Sequence, residues 1–169
     1  DYGKGTCTEE NCQKIIAACK AHHVPVIVDP KGTNWMKYAG ADYITPNLKE
    51  INAVLPDPIR NEDQPVETAA RSVMKKYQLG SLIVTRSEAG LSLICEGEIK
   101  HIPTKAQEVF DVSGAGDTVI AVFAMGIAGG LAPRDSAYLA NLAAGVVVAK
   151  LGTYAVSQEE LIAALKKEK

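Results

Sequence analysis

The 169-residue sequence has little of what membrane proteins and nucleic-acid-binding proteins require. It contains no apolar run of membrane-spanning length, and its first residues do not resemble a secretion signal. Its 20 acidic residues outnumber its 18 basic residues, and the net charge of -2 argues against a nucleic-acid or anionic-membrane surface. We therefore expect a soluble protein with no nucleic-acid partner and no membrane partner.

The cysteines also lack the arrangement of a metal site. Cys7, Cys12, Cys19 and Cys95 show neither C-x-x-C spacing nor pairing with nearby histidines. Cys12 and Cys19 fall on one face of a predicted helix, which favours buried free thiols in a reducing cytoplasm. A cytoplasmic protein without a cysteine-based metal site is the expectation.

Short apolar strands alternate with helical segments in the first half of the chain. Strands are predicted at 26–28, 42–45 and 81–85, helices at 8–21, 34–38, 48–55 and 66–77, and a polar loop at 56–65. Residues 91–95 and 98–102 flank Glu96-Gly97 and predict a hairpin. The alternation favours right-handed βαβ units and a parallel sheet, in a chain whose length and composition suit one α/β domain.

The second half of the chain predicts three helices. Residues 119–127 are apolar nearly all round, which predicts a buried helix. A second helix runs from Pro133 to about Lys150, with proline in its first turn and Gly152 as its stop. The last helix starts at Ser157, because S-Q-E-E is a capping box.

The glycine motif, residues 111–118, is the most informative segment, and it reads D-V-S-G-A-G-D-T ahead of an apolar run. Small residues let an anion approach the backbone closely, and the N–H groups and dipole of a helix N-terminus favour negative charge there. Asp117 could accept a proton from an alcohol while the backbone stabilises a transferring phosphoryl group. This pattern indicates sugar-kinase chemistry. The simpler reading is a helix N-terminus with Asp117 as a solvated capping acid.

Two other glycine-rich motifs fit this segment poorly. A Walker A loop needs lysine after its last glycine, whereas Asp117 follows Gly116. A dinucleotide fingerprint needs a third small residue where Val119 stands. It also needs an acid at a strand end, and the nearest candidate, Asp135, lies at a helix start.

Residues 111–124 resemble the second signature of the ribokinase-like (PfkB) sugar kinases, with Val122 where the pattern prefers alanine or glycine. Residues 45–50, T-P-N-L-K-E, resemble the N-x-x-E element of that family. Residues 84–90, V-T-R-S-E-A-G, resemble its T-x-G-x-x-G nucleotide turn, with Ser87 in place of the first glycine. Four further segments are similar to the heptose 7-phosphate kinase branch: 1–5, 28–32, 45–47 and 150–153.

The resemblance implies that residues 1–169 are the C-terminal, ATP-side part of one ribokinase-like domain. That domain is an α/β three-layer sandwich whose mostly parallel sheet is flanked by helices, and its sugar-binding half and lid have no counterpart here. The implied reaction is ATP-dependent phosphorylation of D-glycero-β-D-manno-heptose 7-phosphate at the C1 hydroxyl, for the lipopolysaccharide core. Two alternatives stay open: another sugar or nucleoside acceptor, and a nucleotide-binding module without catalysis. We expect a homo-oligomeric parent protein and no useful turnover by this part alone.

The resemblance also assigns catalytic roles within the glycine motif. Asp117 resembles the general base that orients and deprotonates the attacking hydroxyl. Gly114, Ala115 and Gly116 resemble the anion hole over the phosphoryl group in flight. Because phosphoryl transfer depends mainly on positioning and charge stabilisation, these backbone donors and magnesium could carry most of the catalysis.

The N-x-x-E element implies a place for magnesium and phosphate. Asn47 and Glu50 stand one helical turn apart and can face the same point. Glu50 would hold Mg²⁺ through water and Asn47 would aid phosphate contact, unless Asn47 only caps the helix. Lys4 and Lys31 could meet a phosphate by charge, although a solvated lysine is the commoner case.

Three further assignments come with alternatives of equal standing. Thr85 and Gly90, at a strand end and turn, would contact the nucleotide, or they reflect ordinary turn chemistry. Asn141 would border the adenine pocket, or it is a structural amide bonded to backbone. Asp111 would hold a monovalent cation such as K⁺, or it caps the preceding turn.

Overall fold

The computed structural model describes residues 1–104 and 109–167, which fall into two compact units. The first unit contains Asp1–Arg86 and Ser92–His101, and the second contains Ser87–Leu91 and Ile102–Lys169. In the described part of the chain, every helix is too short or too polar to cross a bilayer.

The first unit is built on a five-stranded sheet. Its helices are α1 (Glu9–Ala21), α2 (Leu48–Val54) and α3 (Asp63–Tyr77), with a 3₁₀ turn at Trp35–Tyr38. Its strands are β1 (Ile27–Val28), β2 (Tyr43–Ile44), β3 (Ser81–Thr85), β4 (Leu91–Cys95) and β5 (Glu98–Ile102). The strands lie in the sheet in chain order, and the end residues Leu91 and Ile102 are assigned to the second unit.

The first three strands are parallel, as predicted. Val28 pairs with Ile44, and Ile44 pairs with Leu82. Glu96 and Gly97 join β4 to β5, a connection short enough only for antiparallel neighbours. The mostly parallel α/β sheet flanked by helices is therefore confirmed. Because β1, β2 and β3 are parallel, their carboxyl ends meet at one edge of the sheet. Sheets of this kind bind ligands at that edge.

The core of the first unit fixes α2 beside β3. Ile51 of α2 and Leu82 of β3 are fully buried in the same apolar cluster. Trp35 is also fully buried there, with its ring centre 5.9 Å from that of Tyr77. Because this cluster holds α2 against the sheet, the first turn of α2 lies at the carboxyl edge.

Helix α3 begins earlier than the sequence predicts. It starts at Asp63, inside the predicted polar loop, and Pro65 occupies its first turn. Proline is tolerated there because the first-turn N–H groups have no intrahelical acceptor and the fixed φ of proline suits a helix.

The four cysteines are free thiols, but the prediction that they are buried is wrong. Each is partly exposed. Cys12 and Cys19 lie on α1, a largely polar helix that buries only Ile16. The burial of that helix is too limited to cover its other apolar side chains.

The second unit contains α4 (Ala115–Ala128), α5 (Pro133–Val148) and α6 (Gln158–Lys167). The all-round burial predicted for α4 is wrong, since Met125 is 72% exposed while Val119, Phe123 and Gly126 are buried. Only one stripe of α4 packs in this unit. A Cβ on Gly126 would lie 2.5 Å from Ser136 Oγ of α5, so the close approach of the two helices requires glycine.

Candidate active site

The end of β2 and the end of β3 come together in the first unit. The Thr85 N–H donates to the Pro46 carbonyl at 2.9 Å, and Asn47 forms a parallel bridge with Thr85. Asn47 is also the N-cap of α2, which carries Glu50 in its first turn. The structure thus places Asn47, Glu50 and Thr85 at one edge of the sheet.

Asn47 and Glu50 form a complete capping box. The Glu50 N–H donates to Asn47 Oδ1, and the Asn47 N–H donates to Glu50 Oε2, both at 2.9 Å. The capping role that the sequence left open for Asn47 is therefore observed. The box uses one side-chain oxygen of each residue, and the Asn47 Nδ2 group and Glu50 Oε1 are not part of it.

Lys31 lies beside this pair, at the end of β1. Its ammonium Nζ is 3.3 Å from Glu50 Oε1, and its side chain is 55% exposed. The Lys31 N–H donates to the Tyr38 hydroxyl at 3.2 Å, and that hydroxyl donates to Asp1 Oδ2 at 2.8 Å. Burial raises the pKa of Tyr38, which keeps its hydroxyl protonated as a donor. The ammonium group of Lys31 therefore lies at the carboxyl edge of the sheet, and the hydroxyl of Tyr38 stabilises the backbone that carries it.

The glycine motif forms the start of α4 in the second unit, as predicted. Gly114 is the N-cap with φ +80°, a left-handed conformation that favours glycine. The Thr118 N–H and hydroxyl both donate to the Gly114 carbonyl at 2.9 Å. Asp117 is exposed in the first turn of α4, near the positive end of the helix dipole.

Ala115, one of the three predicted anion-hole residues, already uses its amide within the turn. The Ala115 N–H donates to the Val112 carbonyl at 3.2 Å. This bond closes the tight turn that brings the chain into α4. The amides of a first helical turn point towards the helix N-terminus, where an anion can approach them.

Asp111, the first residue of the motif, accepts two backbone hydrogen bonds. Its Oδ1 accepts from the Ser113 N–H at 2.8 Å, and its Oδ2 accepts from the Gly152 N–H at 3.1 Å. Hydrogen bonds from Ser113, joined by that from Gly152, lower the pKa of Asp111, so the carboxylate stays ionised. Asp111 thus caps the turn that follows it rather than the preceding one, and its negative charge is of the kind that a monovalent cation requires.

Gly90 and Asn141 both contact the segment that follows β5. Gly90 has φ +83°, and a Cβ there would overlap the Ile102 carbonyl and lie 2.5 Å from Thr104 N. Asn141 is 7% exposed, and its Nδ2 donates to the Pro103 carbonyl at 2.9 Å. The structure thus provides a packing reason for this glycine and the backbone partner that the sequence allowed for this amide.

A buried arginine after β3 has no place among the predicted site residues. Arg86 is 3% exposed, and it binds Asn61, Asp63 and Ser92. The Arg86 hydrogen bond is the main cause of a lowered pKa at Asp63. The position of Arg86 directly after an apolar strand is the feature of the sequence that could have marked it as a residue of interest.

The charged side chains fit magnesium only as an ion shared with substrate. Within residues 1–104 and 109–167, no three His, Cys, Asp or Glu side chains gather as a metal cage. Mg²⁺ commonly keeps several waters and takes one or two carboxylates together with substrate phosphates. Glu50 Oε1, which lies outside the capping box and 3.3 Å from Lys31 Nζ, suits that mode.

Comparison with known proteins identifies the family. The model for the pfkB family carbohydrate kinases matches residues 3–160. The chain belongs to the pfkB family of carbohydrate kinases. Within the pfkB family it is similar to the Bifunctional protein HldE of Trichlorobacter lovleyi, with 48% identity over 169 residues, or 99% of this chain and 34% of that protein. The HldE of Syntrophotalea carbinolica is 47% identical over 95% of this chain and 33% of its own. The chain thus spans about a third of the length of these curated relatives.

Solved structures share the fold. Ribokinase from Thermotoga maritima matches with a TM-score of 0.78 and 29% identity over 91% of this chain and 53% of that one. Arabidopsis thaliana ribokinase, complexed with ribose and ATP, has a TM-score of 0.83 and 23% identity over 94% and 53% of the two chains. Phosphofructokinase-2 from Escherichia coli, in complex with potassium, has a TM-score of 0.83 and 16% identity over 95% and 52%. The ribokinase-like fold of this pfkB-family chain follows from these matches.

Proposed function

We propose that the protein containing this chain transfers a phosphoryl group from ATP to a sugar hydroxyl. The observation that carries the proposal is the start of α4, where Asp117 stands in the first turn behind a left-handed Gly114 cap, in a pfkB-family chain. This geometry supplies a carboxylate and helix-terminal amides at one place, which are the groups that phosphoryl transfer to an alcohol needs.

Asp117 is the general base in this proposal. Its carboxylate is exposed and would accept the proton of the attacking hydroxyl. The helix dipole and the amides of the Gly114–Gly116 segment would stabilise the charge of the phosphoryl group in flight, with Ala115 contributing less because its N–H already bonds Val112. Loss of a positioned base costs about 10²–10⁴-fold in rate.

The edge of the first unit would hold the nucleotide phosphates and Mg²⁺. Asn47 Nδ2 and the end of β3 at Thr85 would contact ATP, and Glu50 would hold Mg²⁺ through water. Mg²⁺ would neutralise charge on the phosphates during transfer. Support comes from Glu50 Oε1, which the capping box leaves beside Lys31, and from the ATP in the Arabidopsis ribokinase structure.

The remaining nucleotide and ion assignments rest on the second unit. Gly90 and Asn141, which share the segment after β5, would shape the adenine side. Asp111 would balance the charge of a K⁺ ion, in line with the potassium bound by phosphofructokinase-2 of Escherichia coli.

D-glycero-β-D-manno-heptose 7-phosphate is the proposed acceptor, with phosphorylation at C1 for ADP-heptose and lipopolysaccharide core synthesis. Support comes from the HldE relatives and from the four segments that resemble the heptose branch. Two of these segments, 1–5 and 28–32, are in contact, since the backbone nitrogen of Asp1 donates to the Asp29 carbonyl at 3.0 Å. Another sugar or a nucleoside is the alternative acceptor, and a panel of acceptors separates the two.

The chain is proposed to be the C-terminal part of one kinase domain in a cytoplasmic, homo-oligomeric protein. Its length supports this, because it covers 53% of the ribokinase from Thermotoga maritima. The tetrameric form of phosphofructokinase-2 from Escherichia coli supports an oligomer. Sugar-binding residues would then lie mainly outside this chain, and the chain alone would show no useful turnover.

The test compares Asp117→Asn with Asp135→Asn in the full-length protein. Asp135 is a matched control, because it is also an acid in the first turn of a helix, α5. ATP-dependent transfer to heptose 7-phosphate should fall about 10²–10⁴-fold in Asp117→Asn and stay near wild type in Asp135→Asn. Wild-type turnover in Asp117→Asn would remove the catalytic assignment. ATP binding without turnover by the unmodified protein would instead favour the non-catalytic module.

A further inference from the structure

Arg86 is fixed through both its side chain and its backbone. Its Nη1 donates to Asp63 Oδ1 at 2.6 Å and to Ser92 Oγ at 2.9 Å, and its Nε donates to Asn61 Oδ1 at 2.9 Å. In return, Asn61 Nδ2 donates to the Arg86 carbonyl at 3.0 Å. The peptide between Arg86 and Ser87 is therefore held by the Asn61 amide, and the buried guanidinium of Arg86 is held by charge-assisted bonds.

A histidine extends this network to α3. Ser92 Oγ lies 2.8 Å from His101 Nδ1, and His101 Nε2 lies 2.9 Å from Glu67 Oε1. An ionised carboxylate only accepts, so Nε2 carries the hydrogen and, in the neutral ring, Nδ1 accepts from the Ser92 hydroxyl. Donation then runs in one direction from Arg86 to Glu67. The network ties the end of β3 to β4, β5 and α3.

The residue after Arg86 has a backbone conformation that serine rarely adopts. Ser87 has φ +51°, in the left-handed region. The related nucleotide turn carries glycine at this position, and glycine adopts such a φ without strain. A non-glycine residue stays there only when its surroundings impose the conformation.

We propose that Arg86 is a positioning residue for the nucleotide turn, residues 85–90. Its buried network holds the backbone after Thr85 so that Ser87 keeps the left-handed φ of +51°, which glycine would adopt without strain. The network thereby compensates for serine at position 87. Arg86 itself contacts no substrate. The inference rests on the proposed function, since it takes residues 85–90 to contact ATP.

The test is a double-mutant cycle in the full-length protein, with Arg86→Lys, Ser87→Gly and the pair. Lysine keeps the positive charge but cannot reproduce the fork of hydrogen bonds. Arg86→Lys should raise the KM for ATP about tenfold, as expected for one lost hydrogen bond to a phosphate, with the KM for the sugar phosphate unchanged. In the Arg86→Lys background, Ser87→Gly should return the KM for ATP most of the way to its wild-type value. In the wild-type background, Ser87→Gly should change the KM for ATP much less.

Two further variants keep the test decisive. Glu67→Gln, at the far end of the network, should leave the KM for ATP at its wild-type value, because the direct contacts of Arg86 remain. If Arg86→Lys does not fold, Asn61→Ala replaces it, since it removes the bonds to Nε and to the Arg86 carbonyl while Asp63 still pairs the charge.

An unchanged KM for ATP in Arg86→Lys would overturn the proposal. Equal losses for ATP and sugar phosphate, or no recovery by Ser87→Gly, would also overturn it, because they indicate a purely structural arginine. The proposed function is tested separately: it fails if Asp117→Asn turns over at the wild-type rate. If Asp117→Asn is inactive while Arg86→Lys binds ATP normally, only the inference about Arg86 fails.

Discussion

Asn47 and Glu50 hold each other across the first turn of α2, each accepting the other's backbone N–H at 2.9 Å. Two residues proposed to meet phosphate and Mg²⁺ thus also stabilise the fold. Alanine at either position would disturb both roles together. Substitutions that keep the cap and remove the charge are needed to separate them.

Glu50→Gln should separate the stability role from the magnesium role. Glutamine can complete a capping box, so the free energy of unfolding should change by less than about 0.5 kcal/mol. The Mg²⁺ concentration for half-maximal activity should rise, since an amide binds the hydrated ion more weakly than a carboxylate does. Glu50→Ala is the matched control and should in addition lose about 1 kcal/mol of stability. An unchanged Mg²⁺ requirement in both variants would remove Glu50 from the ion site.

Gly90→Ala should be among the most damaging single-methyl changes in the chain. Its Cβ would overlap the backbone of Ile102 and lie 2.5 Å from Thr104 N, at a φ of +83°. We expect a loss of about 3 kcal/mol, measured by chemical denaturation. Gly97→Ala is the control, since it has the same left-handed φ but no atom within 4 Å, and should cost about 1 kcal/mol. Equal losses would mean that φ, and not the close approach, decides the need for glycine.

Ser136→Ala should stabilise the second unit. Ser136 Oγ is buried and has no hydrogen-bond partner among the residues that the structure describes. Removing an unsatisfied buried hydroxyl should raise the free energy of unfolding by about 1 kcal/mol. Gly126→Ala, which places a methyl group 2.5 Å from the same Oγ, should act in the opposite direction. A destabilised Ser136→Ala would show that this hydroxyl has a partner after all.

Acid should loosen the start of α6 through Glu160. Hydrogen bonds from the Ser157 N–H, Lys150 and Tyr154 lower the pKa of Glu160 from 4.5 to about 2. A carboxylate with a lowered folded-state pKa stabilises the fold above its unfolded pKa, and this contribution is lost as the pH falls from about 4.5 towards about 2. The protection factors of the α6 amides, which correct for the pH dependence of exchange in an unfolded peptide, should fall over that window in the wild type.

Glu160→Gln provides the comparison for this acid transition. In this variant the protection factors of the α6 amides should already be lower at neutral pH. They should change little between a pH of about 4.5 and one of about 2, because the titrating carboxyl group is gone. Glu159→Gln should retain the wild-type profile, since the bonds to Ser157, Lys150 and Tyr154 remain. The same pH profile in Glu160→Gln and the wild type would contradict the assignment.

Local signals in the sequence predict most of the elements. Thr8 caps α1, Pro133 opens α5, and Ser157 and Glu160 form the predicted capping box before α6. These features depend on residues within one turn of each other, so their chemistry can be read from spacing alone. The start of α3 was misplaced because Pro65 is a loop signal that also suits a first helical turn.

Burial and pairing depended on partners far away in the chain. The apolar sequence of α4 does not specify which face packs on α5. The exposure of Met125 could therefore not be predicted from the sequence. The meeting of Asn47 with Thr85 required the register of β2 against β3. The network of Arg86 joins residues from α3, β4 and β5 and the loop before α3, a set that no local spacing indicates.

The sequence by itself determined the alternation of strands and helices, the helix caps and the glycine motif with Asp117, because each is set by neighbouring residues whose backbone preferences act locally. Tertiary structure alone decided that Asn47 meets Thr85, that Asn141 bonds the Pro103 carbonyl, and that Arg86 is buried with Asn61, Asp63 and Ser92 as its partners. The physical reason is that hydrogen-bond partners and steric contacts are chosen by proximity in space, which the fold creates between residues distant in sequence.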